Sequence, residues 1–373
     1  MALAGMAALA VPMGIGRFAF TPILPMMQVD AGLSVAAGGW LASANYAGTL
    51  AGALAAMTLR VPVPAAVRGG LLAIGLTTLA MAAERRFASW LALRALAGIA
   101  TAWVLVFASA WALERLEPLR RPALNSTLFA GYGVGIAGAG GVCLALMQAQ
   151  AGSAQAWASL GVLALAVTAL VWPVFGDDHA ASGPRRPPPG RGHCWDADSA
   201  RVVLCYGAFG FGYIVPATFL PVMARQAFPD PAVFGWSWPV FGAAAAGSTF
   251  AAAGLSALLD NRRLWSLGHV VLAAGVVLPV LWPGIVAVML SALLVGAMFT
   301  VTTMAGFQEG RRVGGAHAKE LIGALASAFA VGQIVALVGV SYLVRADGGL
   351  SGALVVACLV LLASAGALAV RRP

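Results

Sequence analysis

"MGIGRFAFTPILPMM" spans Met13–Met27, and "FGFGYIVPATFLPVM" spans Phe209–Met223, at an offset of 196 residues. Gly14 meets Gly210, Gly16 meets Gly212, Leu24 meets Leu220, Pro25 meets Pro221 and Met27 meets Met223. Pro22 and Pro216 add a second proline to each stretch, and Arg17 falls opposite Tyr213. Both stretches lie inside long apolar runs, so a side chain that stays charged at any ordinary pH sits deep in one of them. Two Gly/Pro-interrupted apolar segments at matching positions in two halves of a chain point to a transporter's binding site near the bilayer midplane.

The rest of the chain supports a membrane setting. Of its 373 residues 61% are hydrophobic and 9% charged, with mean hydropathy +0.90, where a soluble domain carries about 25% charge. Runs such as "LLAIGLTTLAMAA" from Leu71 and "ALVVACLVLLASAGALAV" from Ala353 read as membrane-spanning helices. The first run is too long for a signal peptide and lacks its basic region and small-residue cleavage site. Cys143, Cys194, Cys205 and Cys358 form no CxxC pair, and three of them lie inside apolar runs as small core hydrophobes.

Spans are expected at about 3–27, 34–57, 67–83, 88–113, 122–148, 154–175, 200–224, 233–258, 264–281, 283–307, 319–343 and 351–370, twelve in all. Sixteen basic residues then fall in loops on one side and four (Arg85, Arg86, Arg225 and Arg345) on the other; Arg17 and Arg94, in the membrane, complete the 22. The rich side is cytoplasmic by the positive-inside rule, which places both termini on the cytoplasmic side of the inner membrane. This sorting accounts for the net charge of +9, so lipid, not nucleic acid, is the expected partner. Trp90, Trp111, Trp172, Trp236, Trp238, Trp265 and Trp282 are expected at span ends, at headgroup level.

Residues 176–199, within "GDDHAASGPRRPPPGRGHCWDADSA", have the proline, glycine and charge content of a cytoplasmic linker. It separates an N-terminal half, 1–175, from a C-terminal half, 200–373. Its "HCWDAD" lacks a second ligand pair at zinc-like spacing, so no metal site is expected.

The first and seventh segments, with "ASANYAGTLAGAL" from Ala42, resemble the major facilitator superfamily, and more narrowly its bacterial YbfB/YjiJ-type branch of permeases. The resemblance covers essentially the whole chain. "RALAG" keeps the fourth-helix arginine and glycine at Arg94 and Gly98, and "GYGVGIAGAGG" from Gly131 is similar to the glycine-rich fifth helix. The Gly-x-x-x-Asp-Arg motif is degraded after the second helix, where Ala56 follows Gly52, but its second copy keeps Asp260, Arg262 and Arg263 as a gating loop. The resemblance implies an all-α membrane protein of twelve helices in two pseudo-symmetric six-helix halves. These would rock about a cavity lined by the first, fourth, seventh and tenth helices.

An arginine at the bilayer centre costs about 2.5–3.5 kcal/mol on insertion scales, which neighbouring apolar residues offset. The expected spans hold no Asp or Glu, so Arg17 has no carboxylate to pair with. Pro22 and Pro25 lack N–H groups and free the carbonyls of Phe18 and Thr21, but helical side chains lean the other way. Two roles stay open: a structural arginine on backbone oxygens, or a cavity arginine that meets an anionic substrate group. Gly14, Arg17 and Thr21 share a face at i, i+3, i+7, as Tyr206, Gly210 and Tyr213 do.

The candidate substrate-contacting residues are Arg17, Thr21, Asn45, Tyr46, Arg94, Tyr206, Tyr213, Thr302 and Gln333. For Asn45, Tyr46, Thr302 and Gln333, an interhelical hydrogen bond is the competing role. Gly14, Gly16, Pro22, Pro25, Gly210, Gly212, Pro216 and Pro221 are candidate packing and hinge positions.

The expected function is a secondary transporter or facilitator for a small anionic or zwitterionic solute, acting as a monomer without a cofactor. Alternatives are an efflux permease for drug-like or amphipathic compounds and a non-transporting membrane sensor or assembly protein. An intramembrane enzyme would need a nucleophile with its base, or a metal cluster; of the four histidines only His269 lies in a span. With no acid in the spans, any proton coupling is expected to be indirect.

Overall fold

The structure, a computed structural model, describes residues 1–58, 61–116, 122–176, 196–228, 230–315, 318–347 and 349–370. The expected linker lies almost wholly outside the described residues, as does Cys194. The long helices are α1 (Ala2–Asp30), α2 (Val35–Thr58), α3 (Val63–Ala83), α4 (Phe87–Leu116), α5 (Pro122–Gln148) and α6 (Ser153–Val171). After residue 196 follow α7 (Ala197–Ala227), α8 (Ser237–Leu258), α9 (Asn261–Leu281), α10 (Ile285–Gly314), α11 (Ala318–Asp347) and α12 (Ser351–Ala369). Among the described residues ten helices are long and apolar enough to cross a membrane; α2 and α8 fall outside that set.

Helix starts follow local chemistry. Asp196 accepts from the Ser199 N–H at 2.7 Å to cap α7, and Asp260 accepts from the Arg263 N–H at 2.9 Å to cap α9. At the start of α6 the side chain of Asp30 accepts from both the N–H and the hydroxyl of Ser153. The first span is broken internally: α-helical over Ala2–Ala10, π-helical over Val11–Arg17, and α-helical again from Phe20. Phe18 N–H reaches back five residues to the Met13 carbonyl at 3.2 Å, and Thr21 N–H reaches only three, to Phe18, at 3.1 Å. Glycines at 14 and 16 and a proline at 12 weaken regular α-helix at this point. π-bulges of this kind recur at functional sites.

Packing repeats in kind. α1 packs on α5 as α7 does on α11; α2 on α4 as α8 on α10; α3 on α4 and α6 as α9 on α10 and α12. Among the described residues the most extensive contacts between the sets are those of α5 with α8, α2 with α11, and α1 with α7. Glycine sets the closeness of α1 to α5 and of α7 to α11. A Cβ on Gly14 would overlap the Gly135 carbonyl of α5, and one on Gly210 would overlap the Phe329 carbonyl of α11. Such backbone proximity suits association in lipid, where packing rather than hydrophobicity drives contact.

Two expectations are corrected. Helix α10 continues past 307 to Gly314 and carries Glu309, which is 1% exposed. A buried carboxylate therefore does lie within a span. The tryptophans also divide. Trp236 and Trp282 are 52% and 56% exposed, as interfacial residues are, whereas Trp238 and Trp265 are fully buried packing residues. Cys143, Cys205 and Cys358 are buried free thiols, as expected.

Candidate functional site

Arg17, Tyr213 and Gln333 each stand within one residue of the midpoint of α1, α7 and α11. Arg17 is 7% exposed. Its Nη2 donates to Gln333 Oε1 at 2.7 Å and to the Tyr213 hydroxyl at 3.4 Å, and Gln333 Nε2 donates to that same hydroxyl at 2.7 Å. The guanidinium carbon lies 4.5 Å from the Tyr46 ring centroid and 5.3 Å from that of Phe18, both within cation–π range. Every one of these partners is neutral. Nε of Arg17 is buried and makes no hydrogen bond.

The chain has five tyrosines, and four of them, Tyr46, Tyr132, Tyr206 and Tyr213, lie within electrostatic reach of Arg17. The fifth, Tyr342, packs edge-on against Trp40 at 6.2 Å. Phenylalanines fill in around them. Tyr213 stacks between Phe299 at 5.0 Å and Phe329 at 5.4 Å, and Tyr206 stacks on Phe307 at 5.4 Å. Tyr206 also meets Phe329 at 5.3 Å and Trp265 at 5.7 Å. It stands about 10 Å from Tyr213 along α7, toward the face where the chain begins.

Arg94 has a different task. Its Nη1 donates to the Gly16 carbonyl at 3.3 Å and its Nη2 to the Arg17 carbonyl at 3.0 Å, with Phe20 5.1 Å from its charge. Asn45 Nδ2 donates to the Gly16 carbonyl at 3.1 Å and to the Arg94 carbonyl at 2.9 Å. The residue that would reach the Arg17 carbonyl in a π-turn is Pro22, which has no N–H, while Thr21 turns instead to Phe18. α2 and α4 thus hold open the break that presents Arg17. At the break, the Gly16 and Arg17 carbonyls are satisfied from outside α1, whereas the Phe18 carbonyl is taken up locally.

Thr21 donates to the Ala217 carbonyl of α7 at 3.1 Å. The π-turn splits the expected shared face: Gly14 faces α5, while Arg17 and Thr21 face α7. Thr302 is buried against Gly268 of α9, its hydroxyl without a hydrogen bond, and is not brought to Arg17. Cβ atoms on Gly16 and Gly212 would overlap Thr101 of α4 and Leu361 of α12. Pro25, Pro216 and Pro221 lie inside their helices.

In the expected gating loop only Arg262 turns inward, bridging Glu309 of α10 and Asp198 of α7. Arg312 adds a second pair of bonds to Glu309, at 2.8 and 2.6 Å. Arg263 and Asp260 pair at 3.2 Å on the exposed surface. His269 is buried, and its Nε2 accepts from Trp265 Nε1 at 2.8 Å. Among the described residues no group of three or more His, Cys, Asp or Glu could hold a metal ion.

Sequence reasoning passed over Tyr132, Phe299, Phe307 and Phe329. Spacing held a usable signal: Phe329 and Gln333 are i, i+4 on α11, and Phe299, Thr303 and Phe307 repeat that step on α10. Tyr132 stood inside the glycine-rich segment and drew no notice beside its glycines.

No curated protein matches the chain. A family profile described as "Uncharacterised MFS-type transporter YbfB" matches residues 9–369, in keeping with the ten apolar helices among the described residues. The chain therefore belongs to this family of MFS-type membrane transporters.

Proposed function

We propose that this protein carries a small organic anion across the cytoplasmic membrane by alternating access, without catalysing a chemical reaction. One observation carries the reading: a buried arginine at mid-helix depth whose partners, Gln333 and Tyr213 and the ring of Tyr46, are all neutral. A full charge away from water is expensive to leave uncompensated, and an anionic solute is the natural counter-charge. Gln333 and Tyr213 hold the guanidinium in place until the solute displaces them.

The moving parts are two six-helix halves, 1–175 and 200–373, with α2 and α8 completing twelve spans and both termini on the cytoplasmic face. The matched packing of the two helix sets supports this division. Side-chain contacts joining α1 with α7 and α2 with α11 run from mid-depth toward the face where α1 ends. There Arg225 donates to the Pro25 carbonyl at 3.2 Å, Ser341 to the Ala36 carbonyl at 3.1 Å, and Trp40 meets Tyr342. These contacts support a conformer closed on that face.

The test is flux of labelled organic anions and organic cations into vesicles holding the purified protein. Saturable anion flux is expected. Transport of cations alone would overturn the reading in favour of an efflux permease for amphipathic cations, and flux of neither class would leave a non-transporting protein.

A further inference from the structure

The geometry points to an aromatic monocarboxylate as the substrate, its carboxylate on Arg17 and its ring against Phe307 and Phe329. This inference rests on the proposed anion site and adds two restrictions, one on charge and one on shape.

The charge restriction comes from how the two buried arginines are used. Arg94 spends its fork on the carbonyls of Gly16 and Arg17. Both arginines keep a buried Nε–H without an acceptor, but only Arg17 has its Nη contacts to side chains that a solute can displace, Gln333 and Tyr213. One free positive charge balances one negative charge. A dicarboxylate or a phosphate dianion would carry an excess charge into a site whose other groups are neutral hydroxyl, amide and rings.

The shape restriction comes from the rings. Tyr206, Phe209, Tyr213, Phe299, Phe307 and Phe329 form a continuous cluster, each ring within 6.2 Å of a neighbour. Tyr206, Phe209, Tyr213 and Phe299 are buried in it. Phe307 and Phe329 keep part of their surface uncovered although each packs on the buried Tyr206. Uncovered ring surface next to a buried cluster and an unneutralised arginine suits a flat ring bearing one carboxylate. Stacked or edge-on ring pairs contribute beyond their buried area by an amount equal to roughly a two- to ten-fold gain in affinity.

Equilibrium binding of labelled benzoate to the full chain in lipid nanodiscs tests both restrictions. Competition with cyclohexanecarboxylate, benzamide, phthalate and inorganic phosphate sorts the outcomes. Benzoate is expected to bind saturably, cyclohexanecarboxylate to compete roughly five-fold more weakly, and the other three to compete little. Phe329→Leu and, separately, Phe307→Leu should each narrow the gap between benzoate and cyclohexanecarboxylate.

Equal competition by cyclohexanecarboxylate, or a gap unchanged in both variants, overturns the ring assignment and leaves the anion site standing. Stronger competition by phthalate or phosphate overturns the single-charge restriction, and equal competition by benzamide overturns the role of Arg17. Absence of benzoate binding in a protein that moves another anion sinks this inference alone. Absence of anion flux of any kind sinks the proposed function with it.

Discussion

Arg17 and Tyr213 touch each other across the 196-residue offset that aligns their two helices, and Thr21 and Ala217 do the same one turn on. A residue can meet its own repeat counterpart only near the axis relating the two copies, as in an isologous interface. Helices α1 and α7 therefore meet at equivalent turns of the two matching stretches. At this contact one stretch supplies a charge, Arg17, and the other a neutral hydroxyl, Tyr213.

Arg17→Lys keeps the charge but loses the planar fork that pairs with a carboxylate at two points. Apparent affinity for the transported anion should weaken by roughly ten-fold, about 1.4 kcal/mol. Arg17→Ala should come close to abolishing flux, and Tyr213→Ala should fall between. Concentration dependence of vesicle flux measures all three; normal transport by Arg17→Ala would assign the residue to scaffolding.

Arg94→Lys should behave differently, because Arg94 spans two backbone carbonyls with two nitrogens. A single ammonium cannot reproduce that bridge. Thermal unfolding should shift down, by the equivalent of about 1–3 kcal/mol for a buried polar group left unpaired. In the protein that remains folded, the anion preference order should stay as in the parent. A changed preference order with unchanged stability would put Arg94 in contact with the solute.

Gly14→Val and Gly210→Val each place side-chain carbon against a carbonyl of the neighbouring helix. Each should lower stability by about 1–3 kcal/mol or more, as overpacking does, and the two effects should be alike. Heat-induced loss of monodisperse protein in detergent reads this. If only one position were sensitive, the matched packing of α1 on α5 and α7 on α11 would not be equivalent.

Glu309 is buried and bound by Arg262 and Arg312, with Asp198 on the far side of Arg262. Removing one partner of such a pair strands the other charge, at a cost on the order of 3 kcal/mol. Glu309→Gln should therefore destabilise more than Arg312→Gln, whose side chain is 63% exposed. A double-mutant cycle between Glu309 and Arg262 should show coupling; additive effects would show that the pair contributes nothing beyond each residue alone.

Reporter fusions after Pro188 and Arg372 should read cytoplasmic, and those after Asp30 and Asp230 periplasmic. A periplasmic reading at Pro188 would break the two-half division, because that segment has to join the halves on the side of the termini.

Much of this protein was legible one-dimensionally because a bilayer imposes local rules. Lipid offers backbone groups no hydrogen-bond partners, so apolar length alone announces helices. The repeat of Gly14, Gly16 and Pro25 at Gly210, Gly212 and Pro221 located the central pair, and composition placed the cysteines in the core. Arg17, Tyr213 and Gln333 could be singled out, since polar groups are scarce in such segments. Their meeting could not be read, because it depends on how α1, α7 and α11 rotate about their own axes. Glu309 was cut off from its helix because hydropathy fades where buried ion pairs begin, and only tertiary contact with Arg262 and Arg312 makes its burial affordable. Arg17 and Arg94 look alike in sequence as lone arginines in apolar runs. The π-turn in α1 separates them: it exposes the Gly16 and Arg17 carbonyls that occupy Arg94 and leaves Arg17 facing neutral groups at the axis. That division comes from backbone carbonyls without local donors, and those exist only in the folded helix bundle.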